Sequence, residues 1–362
     1  MRRTAALIVG GGPAGSAAAI ALARGGAEPV LVERQAEIGD ALCGGFLSWR
    51  TLAQLDALGL DQGQLGGHRI DRVAIFAGDR TSESKLPHPS MGLSRHRLDT
   101  LLLARAKAEG AAILHGIGAR SAAGPGEVLL DNDDVMDADA LFLATGKHEL
   151  RGLKRDAVPE EDRWMGLRYR FAPNAAMTRL CAGAIELHLF EHGYAGLLLQ
   201  EDGSANLCMA LRKSRLSEAE GDPASLLERL VSDHPALAQR VEAGAPVAQD
   251  AIGLVPYGWR ARETQPGLFR LGDQAAVIPS LAGEGLGIAI ASGTAAAEAY
   301  LVGGPDAAPR FQRDFARRAK RPLALAGLFK SLAEKPASAI RLARLARLPG
   351  LVSLASRLTR IA

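Results

Sequence analysis

The 362-residue sequence predicts an α/β protein: a discontinuous domain on a parallel sheet, an antiparallel-sheet domain inserted into it, and a helical C-terminal tail. Three observations carry this. Residues 5–33 read as strand, glycine-rich turn, helix and second strand. From Met165 to Leu211 the hydrophobic period drops to two, as in half-buried strands. After Pro305 the chain becomes helical in pattern, leucine-rich and basic.

The first unit assigns a job to each element. Ala5 to Val9 is an apolar run with the composition of a buried parallel strand. Gly10-Gly11-Gly12-Pro13-Ala14-Gly15 follows and fits G-x-G-x-x-G, and an alanine-rich helix then runs to about Arg24. Pro29 to Val32 forms a second buried strand that ends at Glu33. Gly10 permits the tight turn, Gly12 lets a pyrophosphate approach the backbone, and Gly15 lets helix and strand pack closely. The helix N-terminus offers free N–H groups and positive dipole to phosphates, and Glu33 can accept hydrogen bonds from adenosine ribose hydroxyls. Glycines, strands, helix and terminal acid agree, so this is read as a Rossmann-type dinucleotide-binding unit.

Further along, Ser48 to Leu58 has helical spacing with Gly59 as its stop, and Arg69–Ala77 and Lys85–Met91 read as strands. Ser94 to Gly110 is a helix, and Ala140 to Ala144 is a buried strand closed by Thr145-Gly146. Ala184–Phe190, Tyr194–Leu199 and Ala205–Leu211 alternate around turns at His192-Gly193 and Asp202-Gly203, which predicts an antiparallel sheet. Leu216 to Gly244 is helical, and Gly267 to Gly272 returns to the buried-strand pattern. The expected boundaries are 1–68, 92–150 and 264–304 for the nucleotide domain, 69–91 and 151–263 for the substrate domain, and 305–362 for the tail.

Composition sets bounds. Hydrophobic residues make up 48% of the chain and aromatics only 4%, which suits an Ala/Leu-rich α/β protein. Cys43, Cys181 and Cys208 fit neither a disulfide framework nor a metal site. The chain enters its first strand almost at once, leaving no room for a signal peptide, and no apolar run reaches transmembrane length. A cytoplasmic protein is expected, with peripheral membrane contact as the variant. The net charge of +3 conceals an asymmetry: from Arg310 onward thirteen Lys and Arg face only Asp314 and Glu334, giving this segment +11 and the preceding residues −8. Such a tail suits an anionic membrane surface or an acidic protein, and no nucleic acid is expected. The plainer reading, preferred here, is that the tail packs its leucines on the body and solvates its arginines. If the tail instead closes the mouth of the substrate cleft or lies on an anionic bilayer, truncation after Ser331 should leave nucleotide binding intact but lower turnover of a lipid-dissolved substrate.

A second motif lies at residues 268–293, LFRLGDQAAVIPSLAGEGLGIAIASG. Asp273, at a strand end, can hold ribityl hydroxyls, and the helix starting near Glu284 aims its N-terminal amides at an electron-rich group such as a flavin N1–C2=O edge. Together with the first motif this resembles the FAD-dependent oxidoreductases of the aromatic-hydroxylase type, and within them the geranylgeranyl reductase-like branch. The family's G-E-G-[IL]-x-x-A-x-x-S-G is met by Gly283, Glu284, Gly285, Leu286, Ala289, Ser292 and Gly293. The branch's C-G-G is met by Cys43, Gly44 and Gly45, and its R-x-x-L-D by Arg95, Leu98 and Asp99. The resemblance implies a Rossmann-type FAD-binding domain with an inserted substrate sheet. FAD would be held by Gly10, Gly12, Pro13, Ala14, Gly15, Glu33, Arg34, Cys43, Gly44, Arg95, Gly146, Gly272, Asp273, Gly283, Gly285 and Leu286. It implies NADPH or NADH as electron donor, a lipophilic small-molecule substrate and no metal. In this reading the flavin carries the chemistry, and Cys43 is either a pocket residue or a small apolar filler.

Two departures bear on the reaction. The hydroxylases' D-G motif is replaced by the Ala144-Thr145-Gly146 ending, and the strand Gly193–Gln200 lacks the reductases' tryptophan and proline. Lys147-His148 could attract a nicotinamide phosphate, although a solvated loop is the expectation. The residues lean to a monooxygenase acting on a lipophilic aromatic or polyketide-like substrate. The alternatives are a reductase of carbon–carbon double bonds in an isoprenoid-like chain and a flavin electron carrier.

Overall fold

The computed structural model describes residues 2–156, 162–348 and 350–361. The first sheet has seven strands. Its path runs Ala112–His115, Val30–Glu33, Arg2–Val9, Val135–Leu143, Glu127–Leu130 and Ala119–Ala122, and Leu268–Arg270 also pairs with Val135–Leu143. The pairs of Arg2–Val9 with Val30–Glu33 and with Val135–Leu143 are parallel, so their C-terminal ends converge on one edge. Leu268–Arg270 is parallel too, which brings Gly272 and Asp273 to that same edge from more than a hundred residues away. One face is covered by the Pro13–Arg24, Arg95–Ala108 and Gly285–Gly303 helices. Gly293 allows the first and last of these to touch, because a Cβ there would overlap the Ala14 carbonyl.

The second sheet has eight strands in the order Pro246–Ile252, Trp164–Phe171, Ala205–Arg212, Gly193–Leu199, Gly183–Phe190, His68–Ala77, Arg80–Gly92 and Phe46–Leu47. It is antiparallel except at one seam, where Gly183–Phe190 runs parallel to His68–Ala77. The strands expected to be antiparallel, Gly183–Phe190, Gly193–Leu199 and Ala205–Arg212, are so, and the parallel seam lies where they meet His68–Ala77. The two segments are separated by part of the nucleotide domain, so no hairpin turn dictates their direction. Period-two alternation sends Leu197, Leu207 and Tyr169 into a core under the Pro223–Asp233 and Pro235–Glu242 helices. The intervening residues Gly196, Cys208, Ile185 and Leu187 face the first domain.

The tail forms three helices, Ala308–Ala333, Pro336–Ala346 and Leu351–Leu358. The expectation that its leucines pack on the body holds in part. In the second helix Ala339, Ala343 and Ala346 are buried and Leu342 is half-buried against the core, while Leu345 is exposed, as are Leu348, Leu351 and Leu354 further on. Small side chains let that helix lie close to the sheet, and the leucines are left at the rim. A second correction concerns apolar length. Gly285–Ala333 contains an 18-residue window of mean hydropathy 1.3, so a helical stretch long and apolar enough to cross a membrane is present by composition. Part of the reason is that the Gly285–Gly303 helix packs one side into the core, with Leu286, Ile288, Ile290 and Ala297 buried, while Leu301 and Val302 near its end are exposed.

Candidate functional site

Between the two sheets lies a cavity of about 940 Å³. Its near end is built by loops at the C-terminal edge of the parallel sheet. At Gly10 the backbone takes φ +106°, and a Cβ would sit 2.5 Å from the Ala144 carbonyl oxygen, where the turns after two neighbouring strands cross. A Cβ at Gly15 would overlap the Gly10 carbonyl. Gly12 is different: its nearest neighbour is the tip of Arg95, at 3.3 Å from a built Cβ. Gly10 and Gly15 therefore hold the fold, and Gly12 keeps the cavity wall bare. Gly15 itself does not line the cavity, whereas Gly10, Gly12, Pro13 and Ala14 do.

Two helices begin on this cavity, at Pro13 and at Gly285, and neither has a side-chain cap. Their first amides are free to face a ligand. This fits a pyrophosphate at Gly12–Ala14 and an electron-rich ring edge at Gly285–Leu286. Glu33 stands at the end of its strand, where its Oε2 accepts from the Gly11 N–H at 2.7 Å and its Oε1 from the Gln35 N–H at 2.9 Å. Arg34 contacts His148 at 3.0 Å.

Arg95 donates twice to Asp99, at 2.9 and 2.6 Å, and lies beside Gly12. Burial works against its charge, but the Asp99 carboxylate outweighs that and raises its pKa. Gly146, Gly272, Asp273, Gly283, Gly285 and Leu286 line the cavity, as do Cys43 and Gly44. Asp273 follows Gly272, whose N–H donates to Ser292 Oγ at 2.8 Å; the motif serine thus ties the strand end to the flavin-facing helix.

Lys147, expected on a solvated loop, instead lines the cavity, 3.5 Å from Asp273, whose negative charge raises the lysine pKa. Other residues of the site were not singled out from the sequence. Arg168, 4% exposed, reaches Asp40 Oδ2 at 3.1 Å and the Asp40 and Ala41 carbonyls at 2.7 and 3.0 Å. It also pairs with Asp250, so the Asp40–Gly45 loop is pinned to the second sheet. Asn206 adds a bond to the Cys43 carbonyl at 3.0 Å. The loop carrying Cys43 is therefore rigid at its base. Cys208 faces the same space, and burial pushes its thiol up to about 12.

A hydroxyl cluster sits across from these loops. Tyr194 OH lies 2.6 Å from Ser280 Oγ and Tyr257 OH 3.0 Å from it, while the Leu281 N–H donates to Tyr194 at 2.9 Å. Ser280 falls inside the second motif, and Tyr194 on an alternating strand, so both positions are visible in the sequence. Their convergence depends on inter-domain packing and is not.

The far end of the cavity is apolar. Val73, Ile75, Ile185, Leu187 and Leu189 come from the second sheet, and Phe329, Leu332, Leu342, Leu345, Leu351 and Leu354 from the tail. The tail thus completes the wall.

Residues 3–149 match the family model described as an FAD binding domain. The chain is 28% identical over 312 residues to digeranylgeranylglycerophospholipid reductase 2 of Methanopyrus kandleri, covering 81% of this chain and 75% of that one. The fold superposes on a geranylgeranyl bacteriochlorophyll reductase-like protein from Thermoplasma acidophilum with a TM-score of 0.81 and 21% identity, over 98% of this chain and 95% of that one. It also superposes on PqsL, a probable FAD-dependent monooxygenase from Pseudomonas aeruginosa, with a TM-score of 0.74 and 18% identity, over 94% and 99%. With the glycine cradle, the second motif and the two-sheet cavity in place, the chain is an FAD-dependent oxidoreductase that is similar to the geranylgeranyl reductase-like branch of the aromatic-hydroxylase superfamily.

Proposed function

We propose that the protein reduces a carbon–carbon double bond in a long, apolar, isoprenoid-like chain. One observation carries this reading: the cavity runs from the Gly12 and Gly285 loops to the leucines of the tail, with its polar groups gathered near the loops. A hydrocarbon chain gains about 0.8 kcal/mol per buried CH₂, so such a space selects length as well as apolarity. The named activity of the Methanopyrus relative agrees with it.

The protein's own groups then have defined tasks. Gly12, the N–H groups that follow Pro13 at the start of its helix, Glu33 and Asp273 would hold FAD, which when bound supplies a hydride taken from NADPH or NADH. Reduction of the double bond also needs a proton at the second carbon. The Tyr194–Ser280–Tyr257 cluster holds hydroxyl protons at the polar end of the cavity. Burial pushes the Tyr194 phenol well up, so it remains an O–H donor at neutral pH. The apolar wall excludes water from the reacting bond.

A second reading, a monooxygenase, is favoured by one feature: the strand Gly193–Gln200 lacks the tryptophan and proline of the reductases. Incubation with NADPH and a geranylgeranyl-bearing lipid without oxygen decides between them. Reduction is expected, seen as a mass gain of one hydrogen molecule per double bond. Product formed only in air, with the mass of one added oxygen atom, would establish the second reading instead.

The site of action we propose is the cytoplasmic face of an anionic membrane. Leu345 is 47% exposed, Leu348 54% and Leu354 53%, and they alternate with exposed Arg341, Arg344 and Arg357. Leu345 and Leu354 also line the cavity, so the apolar rim and the mouth coincide. Full-length protein should float with liposomes containing anionic lipid at low salt and lose them at high salt, since each arginine contributes about 1 kcal/mol through a screened field. Absence of flotation at low salt would remove the membrane from the reading.

A further inference from the structure

The C-terminal end of the chain is built into the loop that faces the cofactor. Glu284, the residue before the Gly285–Gly303 helix, is completely buried. Its carboxylate meets Arg360, whose side chain is 3% exposed, at 3.0 Å. Arg360 also donates to the Ala282 carbonyl at 2.6 Å, so one guanidinium grips the backbone on one side of Gly283 and the side chain on the other. Ser48 Oγ donates to the same carboxylate at 3.3 Å. Arg50 reaches the Ile361 carbonyl at 3.4 Å, and the Trp49 ring lies 5.1 Å under the Arg360 guanidinium. The loop has little slack: Gly283 takes φ +61°, and a Cβ there would come within 2.8 Å of Phe46.

A buried ion pair is a poor route to stability, since an apolar pair of similar volume is commonly as stable or more so. What such a pair can fix is register. Here it fixes the segment Ala282–Leu286, whose free helix amides face the cavity. It does so from a residue that closes the tail over the cavity's far end.

We propose that Arg360 is a positioning residue for the cofactor loop, so that docking of the tail and binding of FAD are coupled. The coupling is reciprocal: the docked tail orders the Gly283–Leu286 loop for FAD, and FAD holds the tail closed. Removing Arg360 releases the Ala282 carbonyl and takes the nearest cation from the buried Glu284 carboxyl, which keeps Arg50, the Ser48 hydroxyl and the Ile361 N–H around it. Burial already raises this carboxyl to about 7, and without Arg360 it rises further, so the group takes up a proton at neutral pH and the loop is left without its grip.

The test uses full-length apoprotein and FAD titration. Arg360→Met is expected to raise the FAD Kd roughly tenfold or more, in keeping with the penalty for breaking a buried pair. Arg360→Lys should recover part of that loss. The double variant Glu284→Gln/Arg360→Met has neither the buried charge nor the guanidinium grip, so it should fold but bind FAD about as weakly as Arg360→Met. The Arg360→Met defect should grow in alkaline buffer, where the buried carboxyl loses its proton. In wild-type protein, FAD should slow tryptic cleavage at Arg341, Arg344 and Arg357, and Arg360→Met should abolish this protection. A wild-type Kd in folded Arg360→Met overturns the proposal, as does a double variant that folds and binds FAD as the wild type does. Should Arg360→Met fail to fold, the double variant and the protection of the wild-type tail decide alone.

Discussion

Gly12→Val yields a folded protein that does not retain FAD. The three motif glycines meet different obstacles. At Gly15 a Cβ would overlap the Gly10 carbonyl, and at Gly10 it would lie 2.5 Å from the Ala144 oxygen, so substitution at either strikes backbone and threatens the fold. At Gly12 the only near neighbour is the tip of Arg95, a flexible side chain that can yield by a few tenths of an ångström. The valine methyls then project from the N-cap of the Pro13 helix into the space where a pyrophosphate would meet the first amides. Several charge-assisted hydrogen bonds, each contributing about 1.5–3 kcal/mol, would be lost together, and affinity should fall by a factor of about 100 or more. The measurements are flavin absorbance after purification and a thermal melt of the apoprotein, which should stay within a few degrees of wild type. Full flavin occupancy in the variant would place the cradle elsewhere.

The glycine cradle is legible in the sequence because strand, turn, helix and terminal acid are contiguous there; Gly15 answers to the Gly10 carbonyl within the unit, whereas Gly10 and Gly12 answer to Ala144 and Arg95 from outside it. Asp273 is legible for the same reason: strand, Gly-Asp, loop and glycine-led helix are contiguous. The groups that complete the site are not. Arg168 reaches Asp40 and Asp250 only because the strands Trp164–Phe171 and Pro246–Ile252 pair in register, with Arg168 opposite Asp250. Lys147 reads as a loop residue until the parallel pairing of Val135–Leu143 with Leu268–Arg270 brings Asp273 beside it. The parallel seam of the second sheet is likewise a property of the whole fold.

The tail shows how helical periodicity can point the wrong way. Its leucine spacing marks an apolar face, but contact is decided by how closely the helix approaches, and alanines win at Ala339 and Ala343. Arg360 lies in a basic segment and reads as a solvated charge. The turn at Gly350, with φ +80°, redirects the last helix so that the charge arrives at Glu284. If Arg360 positions the loop as proposed, truncation after Ser331 weakens nucleotide binding and does not spare it, because it removes the guanidinium that grips Ala282 and Glu284.

Gly196→Phe should shorten the chain the cavity accepts without touching the cofactor. Glycine inside a strand is unfavourable for the sheet, since it adds backbone entropy and packs nothing. Gly196 nonetheless occupies the middle of the Gly193–Leu199 strand, opposite Leu187 on one side and Cys208 on the other. All three line the cavity. A Cβ built there meets nothing closer than 3.8 Å, so a side chain enters open space rather than protein. A phenyl ring at this position would displace several methylenes of a bound chain. At about 0.8 kcal/mol per methylene, the loss is roughly tenfold to a few hundredfold in kcat/KM for a geranylgeranyl substrate, with a much smaller loss for a geranyl one. FAD titration should be unchanged, because the residue lies on the sheet wall and not on the glycine loops. Gly196→Ala is the control: it adds a single methyl, leaves length selection alone and stabilises the strand by about 0.4–1 kcal/mol through the unfolded chain. Equal turnover of long and short substrates by Gly196→Phe would show that the isoprenoid chain does not lie along this wall, and the proposed substrate class would lose its structural basis while the FAD assignment stood.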